Sequence, residues 1–466
     1  MNVFVTGGAG YIGSICVEEL LNTGHDVTVY DNLSEGHRSA VDSRARFILG
    51  KPEQEGDILN AVKNAQPDAI MHFAANALVA ESMTNPKKYF HNNVVNALKL
   101  ADAAVESGVK KFVFSSTCAT YGPPERLPMS EDLPQRPINP YGESKLMFEK
   151  ILLWYQQIYG LEFVAFRYFN AAGASEKFGE HHRIETHLIP NVLKVPLGQA
   201  TQCEIYGTDY PTPDGTCIRD YIHVVDLAQA HILGLAPGAT GFFNLGNGDG
   251  YSVRQVISAC EKITGKKIPA VERARRPGDP PRLVASAEKA IRLLRWKPKF
   301  PKLEDIVGTA WSWHKNNPKG YPETTPPAMK RILLVDDDPV ILKVYRKKLL
   351  DAGFHVDIAS DGLGAMKLLH SAAPDVLVVD VMMPKFNGLE VLKFVQSQET
   401  LNEVRIIIFS NMYFGGEQRE IAATEADKTI QKSGCTPAIL IAAINEVLAA
   451  PPRNKPASKP PDPTYS

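Results

Sequence analysis

Short apolar runs that alternate with helical stretches constrain the fold of this 466-residue chain more than any other feature. From residue 1 to about residue 115, the runs NVFVTG, DVTVYD, AIMHFAA and KFVFSS have the length and character of buried strands. Between them, IGSICVEELLNTG and VVNALKLADAAVESG have helical spacing. Because alternating strands and helices build parallel sheets covered on both faces, the sequence predicts an α/β fold.

The same alternation returns after a Pro-rich stretch, PETTPPA. There RILLVD, HVDIAS, DVLVVD, VRIIIFS and KTIQKS are five strand candidates, each followed by a helix-like stretch. This pattern predicts a second, small, doubly wound domain. Between about residues 170 and 323 the pattern is less regular and richer in Pro and Gly, as expected for a smaller substrate-binding domain.

Charge and cysteine content narrow the function classes. The 51 Lys and Arg residues nearly balance the 52 Asp and Glu residues, so nothing favours a nucleic-acid or membrane-surface partner. There is no signal-peptide pattern at the start and no run of about 18 apolar residues. The six cysteines form no C-x-x-C pair, which is typical of reduced thiols. We therefore expect a soluble cytoplasmic protein without membrane or nucleic-acid partners.

A glycine-rich turn, TGGAGYIGS, follows the first strand and enters a helix. Gly7, Gly10 and Gly13 allow a tight turn that lets the backbone approach a pyrophosphate at the helix N-terminus. Asp31 closes the second strand, where a carboxylate accepts hydrogen bonds from an adenosine ribose and repels a 2′-phosphate. The sequence thus predicts an NAD-binding Rossmann domain.

The stretch PYGESK places Tyr141 and Lys145 four residues apart, on one face of a helix. A tyrosine pKa of about 10 makes a poor base at neutral pH. A nearby ammonium and a positive nicotinamide would both lower that pKa. An earlier strand end, FSSTCATYG, offers hydroxyls at Ser115, Ser116 and Thr117.

These motifs together identify a resemblance. Residues 1–323 resemble the extended short-chain dehydrogenase/reductase family, and within it the sugar-nucleotide 4-epimerases. The similarity continues through DNLSEGHRSAV, HFAANALVAES, FRYFNAAGA, HRIETHLIP, PDGTCIRDYIHV, NLGNG, RRPGDPPRLVAS and AWSWHKNNPKGY. It implies tightly held NAD, a homodimer, and 4-epimerisation of a UDP-hexose (UDP-glucose/UDP-galactose) through a transient 4-keto intermediate.

The resemblance also implies residue roles. Tyr141 would take the proton of the sugar 4-hydroxyl, Lys145 would lower the Tyr141 pKa and hold the nicotinamide ribose, and Thr117 would hydrogen-bond the reacting oxygen. The implied NAD contacts are Gly7, Gly10, Tyr11, Ile12, Gly13, Asp31, Asn32, Asp57, Ile58, Phe73, Asn92, Lys145 and Tyr168. The implied UDP-sugar contacts are Asn170, Leu188, Tyr206, Arg219, Arg276 and Asp279.

Three positions vary within the family. Ala77 stands where some epimerases have a lysine, which removes one cofactor contact, and Ile15 stands where many relatives have histidine. Leu283 is smaller than the tyrosine of some relatives, so UDP-GlcNAc turnover stays open. UDP-glucuronate and UDP-xylose are further alternatives, and so is a signalling module that uses the fold only to sense NAD or a sugar nucleotide.

Two other chemistries are disfavoured. Sugar 4,6-dehydratases of this superfamily place an Asp-Glu pair after the active-site threonine, whereas this chain has Cys118 and Ala119, which cannot protonate a leaving hydroxyl. The stretch HHRIETH suggests a metal cluster of His181, His182 and His187. Its spacing fits no familiar zinc pattern, so the sequence favours a substrate loop there.

In the second region, three carboxylates follow strand candidates: Asp336 and Asp337 after the first, and Asp380 after the third. Ser410 and Lys432 close two further strand candidates. Ligands gather at the carboxyl ends of parallel strands, and clustered carboxylates favour a hard cation such as Mg²⁺.

Residues 330–450 resemble response-regulator receiver domains. The resemblance implies that Asp380 accepts phosphate from a sensor histidine kinase or a phosphotransfer protein, that Asp336, Asp337 and Asp380 hold Mg²⁺, and that Ser410 and Lys432 contact the phosphoryl group. Thr429 replaces the usual switch aromatic, and Ser433 replaces the usual proline. Phosphorylation of Asp380 is thus a candidate regulator of the enzyme.

The predicted architecture is an NAD-binding Rossmann domain with a smaller α/β substrate domain, followed by a doubly wound five-stranded flavodoxin-like receiver domain. The connector 323–329 spans at most about 25 Å when fully extended, so we expect the domains to lie close together. The boundaries are residues 1–323 (core about 1–168, substrate parts about 169–323), a linker at 324–329, the receiver domain at 330–450 and a disordered tail at 451–466.

Overall fold

The computed structural model describes residues 1–276, 279–322, 330–383, 387–411 and 426–450. The chain divides into two compact units, Met1–Thr324 and Thr325–Ser466. The predicted linker at 324–329 and the predicted tail at 451–466 lie outside the described residues. Among the helices that are described, none is long and apolar enough to cross a membrane.

The first unit is built on a seven-stranded sheet with three smaller sheets beside it. Its strands are β1 (Asn2–Thr6), β2 (Asp26–Asp31), β3 (Arg46–Leu49), β4 (Ala69–His72), β5 (Lys111–Ser115), β6 (Glu162–Tyr168), β7 (Asn170–Ala172), β8 (Cys203–Tyr206), β9 (Ile218–Arg219), β10 (Tyr221–His223), β11 (Gly241–Leu245), β12 (Tyr251–Ser252), β13 (Ala270–Arg273) and β14 (Arg282–Leu283).

The helices of this unit carry the connections. They are α1 (Tyr11–Asn22), α2 (Asp57–Ala65), α3 (Val79–Thr84), α4 (Pro86–Phe90), α5 (Ala97–Glu106), α6 (Pro140–Tyr159), α7 (Leu188–Leu193), α8 (Val224–Leu233), α9 (Val253–Thr264), α10 (Glu288–Leu294) and α11 (Leu303–Asn316). Short 3₁₀ turns occupy Arg38–Ala40 and Cys118–Thr120, and a π-helical stretch, His91–Asn96, precedes α5.

All seven strands of the large sheet are parallel, in the spatial order β11-β6-β5-β4-β1-β2-β3. Successive residues of β1 enter different cores, because side chains alternate across a strand. Val3 and Val5 join the core that includes α1 and α8, whereas Phe4 joins the core that includes α2, α5 and α6. The predicted parallel sheet with both faces covered is confirmed.

The substrate-binding parts carry the three smaller sheets: β10-β7, β12-β9-β14 and β13-β8. A separate core, which includes Ile189, Ile205, Val256 and Ile306, joins α7, β8, α9 and α11. Several of these strands have only two residues, which explains why the sequence shows no strand periodicity there.

The second unit is a five-stranded parallel sheet in the order β16-β15-β17-β18-β19, with an apolar core on each face. The five predicted strands are confirmed, although the last is confined to three residues. The elements are β15 (Arg331–Val335), α12 (Pro339–Asp351), β16 (His355–Ala359), α13 (Gly362–Ser371), β17 (Val376–Val379), α14 (Gly388–Ser397), a 3₁₀ turn (Glu399–Leu401), β18 (Arg405–Phe409), β19 (Lys428–Ile430) and α15 (Pro437–Ala449).

Candidate active site

The glycine-rich turn joins β1 to α1, and its backbone passes so close to neighbouring backbone atoms that residues with a Cβ would clash at two positions. Gly7 has a φ of +75°, and a Cβ there would lie 2.5 Å from the amide nitrogen of Ala74. A Cβ on Gly13 would lie 2.1 Å from the carbonyl oxygen of Gly7. Gly10 precedes α1 and no side chain caps the helix. The uncapped N–H groups at the start of α1 therefore form a cradle that fits the pyrophosphate of a dinucleotide.

The carboxylate of Asp31 closes β2 beside this turn and is buried. Its Oδ2 accepts a hydrogen bond from the Ala9 amide at 3.0 Å, and its Oδ1 accepts one from the Leu33 amide at 2.8 Å. Burial raises its pKa. Because each carboxylate oxygen has a second lone pair, Asp31 can still accept from a ribose hydroxyl. The residues present thus fit NAD.

A cleft runs along this edge of the sheet, with the loop after β4 on its other side. It contains about half of the predicted NAD contacts and adds the loop residues Ser34, Glu35, Gly36 and Ala74, which the sequence did not single out. The predicted residues in the lining are Gly7, Gly10, Asp31, Asn32, Ile58, Phe73 and Asn92.

Other predicted NAD contacts lie behind the lining. Tyr11 is buried and donates to the Gly173 carbonyl at 2.7 Å, and Ile12 packs against the core. Asp57 accepts from the Tyr30 hydroxyl at 2.6 Å and from the Lys51 amide at 2.8 Å. Tyr11 and Asp57 therefore hold the walls of the cleft together.

Helix α6 positions the catalytic pair. Asn139 caps the helix by accepting from the Gly142 amide at 2.8 Å, and Pro140 occupies its first position. Residues spaced by four share a helix face, so Tyr141, Lys145 and Glu149 point the same way. The chain thereby directs a phenol, an amine and a carboxylate toward the end of β5.

Tyr141 lies in a buried environment. Burial raises the pKa of its phenol, and a hydrogen bond with the Thr117 side chain opposes that rise. Because desolvation disfavours the charged phenolate, burial outweighs this contact. The lowering of the Tyr141 pKa by Lys145 stays a prediction.

Lys145 is 3 % exposed, and its Nζ donates to the Ser115 carbonyl at 2.7 Å. The ammonium also lies 4.8 Å from the centre of the Phe114 ring. Burial lowers the pKa of Lys145 to about 7, against a smaller upward effect of Glu149. Tyr168 ends β6 next to this group, with its hydroxyl 2.7 Å from Ser115 Oγ, and burial raises its pKa to about 12.

A buried ion pair that the sequence did not indicate lies behind these groups. Arg167 donates to Glu149 through Nε at 2.9 Å and through Nη2 at 2.7 Å. The Ser116 hydroxyl donates to Glu149 Oε1 at 2.6 Å, and Gln135 donates to Oε2 at 2.9 Å. The carboxylate is thus fully hydrogen-bonded and ties α6 to the ends of β5 and β6.

The π-helical stretch holds α6 from the other side. Asn93 donates to Ser144 Oγ at 3.0 Å and to the Asn76 carbonyl at 3.0 Å, and it accepts from the Asn76 amide at 2.9 Å. Asn93 therefore joins the loop after β4 to the catalytic helix. Such single π turns often occur at functional sites.

The predicted UDP-sugar residues gather on the small sheets. Arg219 forms an ion pair with Asp279, and the Arg276 guanidinium lies 4.2 Å from the centre of the Tyr206 ring. All three charged groups influence the thiol of Cys217, so they share one region. Two guanidinium groups there suit a diphosphate.

The remaining substrate positions lie near these strands. Asn170 begins β7 and its amide donates to the Asp220 carbonyl at 3.0 Å, whereas Leu188 begins α7. Leu283 pairs with Arg219 across β14 and β9 and packs near Cys118. The Arg219 charge also influences the pKa of the Cys118 thiol, so this region adjoins the Thr117 end of the catalytic group.

The two other positions that vary within the family differ in burial: Ile15 is in the core, and Ala77 is exposed.

In the second unit, Asp336, Asp337 and Asp380 offer carboxylate oxygens that lie within 4.8 Å of one another. Lys432 extends its Nζ to 2.7 Å from Asp336 Oδ2 and 2.5 Å from Asp380 Oδ2. Burial raises the pKa of Asp336. Burial works to lower the pKa of Lys432, but the two carboxylates together outweigh it and raise that pKa. Three oxygen ligands in this arrangement fit Mg²⁺.

Ser410 is the remaining predicted phosphoryl contact and directly follows β18. Its hydroxyl is buried and has no hydrogen-bond partner among the described residues. Thr429 lies on β19 and is exposed, and the Ser433 amide donates to Asn411 Oδ1 at 2.6 Å. The structure therefore brings all five predicted receiver residues to one sheet edge.

Comparison with known proteins agrees with this geometry. The model of the NAD dependent epimerase/dehydratase family matches residues 3–246, and the model of the response regulator receiver domain matches residues 332–445. The UDP-glucose 4-epimerase of Lacticaseibacillus casei is 50% identical over 327 residues, which are 69% of this chain and 99% of that protein.

Two solved structures are also similar. The UDP-glucose 4-epimerase from Bifidobacterium longum, in complex with NAD⁺ and UDP, is 38% identical with a TM-score of 0.66, and the match covers 69% of this chain and 100% of that one. The UDP-Glc/GlcNAc 4-epimerase from Campylobacter jejuni is 40% identical with a TM-score of 0.60, over 68% and 99% of the two chains.

Proposed function

The chain belongs to the NAD dependent epimerase/dehydratase family, and from that premise we propose that residues 1–323 interconvert UDP-glucose and UDP-galactose. The observation that carries this assignment is the convergence of Thr117, Tyr141 and Lys145 beside a cleft that fits NAD. A binding module has no need of a buried phenol and amine beside its cofactor cleft.

When bound, NAD supplies the acceptor and donor of hydride at C4 of the sugar. Gly7, Gly10 and the N-terminus of α1 would hold its pyrophosphate, and Asp31 would hold its adenosine ribose. Lys145 would hold the nicotinamide ribose.

Tyr141 would remove the proton of the 4-hydroxyl as C4 loses hydride, and would return it to the 4-keto sugar after the sugar has turned over. The Thr117 side chain lies close enough to Tyr141 to lower the pKa of its phenol, and it would orient the reacting oxygen. Burial opposes the phenolate, so the positive charges of Lys145 and of the bound cofactor are needed to lower the Tyr141 pKa.

Arg219 and Arg276 would bind the UDP diphosphate, with Tyr206 stacked beside Arg276. Asp279 holds Arg219 in place through their ion pair, and Asn170 and Leu188 complete the predicted site. Leu283 lies next in register to Arg219, where a side chain can limit the size of the sugar. UDP-GlcNAc is therefore the second candidate substrate.

A substrate panel tests this assignment. Purified full-length protein would be incubated separately with UDP-galactose, UDP-GlcNAc, UDP-glucuronate and UDP-xylose, and the products separated by chromatography. We expect the fastest conversion with UDP-galactose. Conversion of none of the four sugars, by protein that still carries NAD, would favour the sensor alternative.

For the second unit, we propose a phosphoacceptor at Asp380 with Mg²⁺ held by Asp336, Asp337 and Asp380. A sensor histidine kinase or a phosphotransfer protein would donate the phosphate. The buried, unpartnered hydroxyl of Ser410 supports this proposal, because a phosphoryl oxygen would supply the missing partner. Lys432 would neutralise the added charge.

Regulation of the enzyme by this unit is a separate proposal, supported by the covalent link between them. Acetyl phosphate with Mg²⁺ should change the epimerase kcat/KM or the oligomeric state of the unchanged protein. The Asp380→Asn variant should not respond. Equal behaviour of the two proteins would contradict regulation through Asp380.

We also propose that the first unit forms a homodimer through α5 and α6. Helix α6 exposes an apolar face that includes Met147, Trp154 and Ile158, the last two more than 60 % exposed, and Leu98 extends it on α5. Tyr155 on α6 donates to Asp102 on α5 at 2.5 Å, so the two helices present one continuous surface. Large exposed apolar faces typically mark interfaces.

Light scattering after size-exclusion chromatography tests the dimer. Trp154→Glu should give a monomer at concentrations where the unchanged protein is dimeric. Leu293→Glu, at an exposed apolar position on α10, is the matched control and should leave the mass unchanged. A dimer that survives Trp154→Glu would place the interface elsewhere.

A further inference from the structure

The segment between β7 and α7 gathers four side chains that the proposed reaction does not use. They are Glu180, His182, Glu185 and His187, and one nitrogen or oxygen from each lies within 4.8 Å of the others. Glu180 Oε1 lies 2.7 Å from His187 Nδ1 and 3.3 Å from His182 Nε2. Glu185 Oε1 lies 3.2 Å from His187 Nδ1.

These separations match those expected of ligands around one ion. With metal–ligand distances of about 2.0–2.1 Å, neighbouring ligands at the corners of a tetrahedron lie about 3.3 Å apart. Two of the ligand–ligand distances, 3.3 and 3.2 Å, are already close to this value, and the third, 2.7 Å, would have to lengthen. Little movement would therefore be needed to close the four groups around a cation.

An independent observation concerns Glu180 itself, whose side chain is 4 % exposed. Its Oε1 has no hydrogen-bond partner among the described residues, and the same holds for His182 Nε2. The two imidazoles lie at ion-pair distance from Oε1, where a ring neutralises the carboxylate only when it is protonated. A buried carboxylate oxygen in this state is costly unless a cation binds it.

We propose that Glu180, His182, Glu185 and His187 bind one divalent transition-metal ion, and that Zn²⁺ is the ion this set favours. Two imidazole nitrogens and two carboxylate oxygens suit tetrahedral zinc, whereas Mg²⁺ and Ca²⁺ prefer oxygen ligands throughout. Since four protein groups complete a tetrahedron, no position is left for a substrate, and the ion has a structural role.

The surroundings of the cluster indicate what the ion would hold together. Glu185 Oε1 accepts from the His187 amide at 2.8 Å, which fixes the carboxylate. Arg183, inside the same segment, donates to the Ser34 carbonyl at 2.9 Å, and Ser34 lines the cofactor cleft. Leu188 directly follows His187 and begins α7. The ion would therefore tie the cofactor loop to the substrate-side helix.

This assignment differs from the metal cluster that the histidines suggest in the sequence. His181 is not one of the four groups: its ring stacks on His37 at 4.7 Å and its Nδ1 accepts from the Tyr321 amide at 3.2 Å. The cluster contains Glu180 and Glu185 in addition to the other two histidines. All four proposed ligands lie within one eight-residue segment, which is why their spacing matches no familiar zinc motif.

Metal analysis of the full-length protein tests the proposal. The protein would be purified without chelators, equilibrated with Zn²⁺ and excess Mg²⁺ to occupy the acidic cluster of the second unit, desalted, and measured by mass spectrometry of the metal. We expect about one zinc per chain. Removal by a strong chelator should lower Tm, and added Zn²⁺ should restore it.

Variants distinguish a metal site from the alternative in which protonated histidines pair with the glutamates and no metal binds. Glu180→Gln and His187→Gln should each weaken Zn²⁺ binding by more than about 100-fold. The matched control His181→Gln, one residue from Glu180, should keep the zinc. Because His187 is half exposed, its variant should fold even if Glu180→Gln does not. Absence of zinc from the unchanged protein, or zinc retained in His187→Gln, would overturn the proposal.

Discussion

Each unit places a lysine at the carboxyl ends of its parallel strands, and the two lysines have opposite properties. Lys145 is buried, hydrogen-bonds a carbonyl, and has its pKa lowered to about 7. Lys432 lies between two carboxylates, and its pKa is raised. In both sheets the proposed ligand site lies at the carboxyl ends of the parallel strands. The groups around each lysine amine determine in which direction its pKa shifts.

The difference corresponds to the two proposed chemistries. A proton and a hydride move in the first site, where a dry environment makes each charge depend strongly on its partners. The second site would receive a phosphoryl group and a metal ion, and two of its carboxylates lie beside the Lys432 ammonium. Substitutions that act on one site and spare the other can test this contrast.

The largest effect is expected for Tyr141→Phe. Without the phenol, the group proposed to exchange the 4-hydroxyl proton is gone, so the conversion rate should fall by about 10²- to 10⁴-fold. UDP-galactose conversion measures the loss, while NAD content and phosphorylation of Asp380 by acetyl phosphate serve as controls. Rates equal to those of the unchanged protein would refute the enzymatic assignment.

Next in size is the effect of Glu149→Gln on stability. This variant leaves the Arg167 guanidinium buried without its anion, which should cost about 3–5 kcal/mol in the unfolding free energy of the first unit. Denaturant unfolding would report the loss. The double variant Glu149→Gln/Arg167→Met removes both charges and should recover part of it; no recovery would mean that the pair itself is not the cause.

A smaller, pH-dependent effect is expected for Lys145→Met. The folded pKa lies near 7 and the unfolded pKa near 10.4, so between these values the unfolded chain binds a proton that the folded chain lacks. The stability of the unchanged protein relative to the variant should therefore rise with pH from about 7 to 10, by at most about 1.4 kcal/mol per unit. Unfolding curves at several pH values measure this slope.

A control on the same helix sharpens that prediction. Lys150 lies on α6 five residues after Lys145, and its side chain is exposed to solvent. The matched variant Lys150→Met removes an amine from the same helix and serves as the baseline against which the slope of Lys145→Met is compared. A flat difference for Lys145→Met across the same range would mean that Lys145 stays protonated in the folded chain.

The smallest effect, and one of opposite sign, is expected for Lys432→Met. A raised folded pKa stabilises the fold below the unfolded pKa, and this stabilisation is lost only as the pH rises through the folded pKa. At neutral pH the variant should lose about 1 kcal/mol of stability in the second unit. Mg²⁺ should restore more stability to this variant than to the unchanged protein, because it would relieve the repulsion of the carboxylates. Equal gains from Mg²⁺ would contradict a shared site.

Local patterns were sufficient to predict four of the seven strands of the large sheet, all five strands of the second unit and most of the groups near the sites. The glycine turn, the carboxylate that ends β2 and the four-residue spacing of Tyr141 and Lys145 are each determined by neighbouring residues. The family resemblance added the positions on the small sheets. The individual roles of these residues stay predictions.

Features that depend on distant parts of the chain could not be predicted in this way. Glu149 and Arg167 meet only because α6 crosses the end of β6, and no motif joins them. The pKa of Lys145 depends on burial, which the sequence does not show. Two-residue strands such as β9 and β14 are too short to have an alternating pattern.

The pairing of β9 with β14 has a consequence for how sugar preference can evolve. Arg219, proposed to anchor the nucleotide, lies in register with Leu283, proposed to limit the sugar. Since a shift of one residue turns every side chain of a strand to the other face, a one-residue slip of β14 would bring Arg282 or Val284 to the place of Leu283, depending on its direction. Such changes would damage nucleotide binding together with selectivity. New sugar preferences are therefore accessible through point substitutions at position 283 and not through changes in loop length.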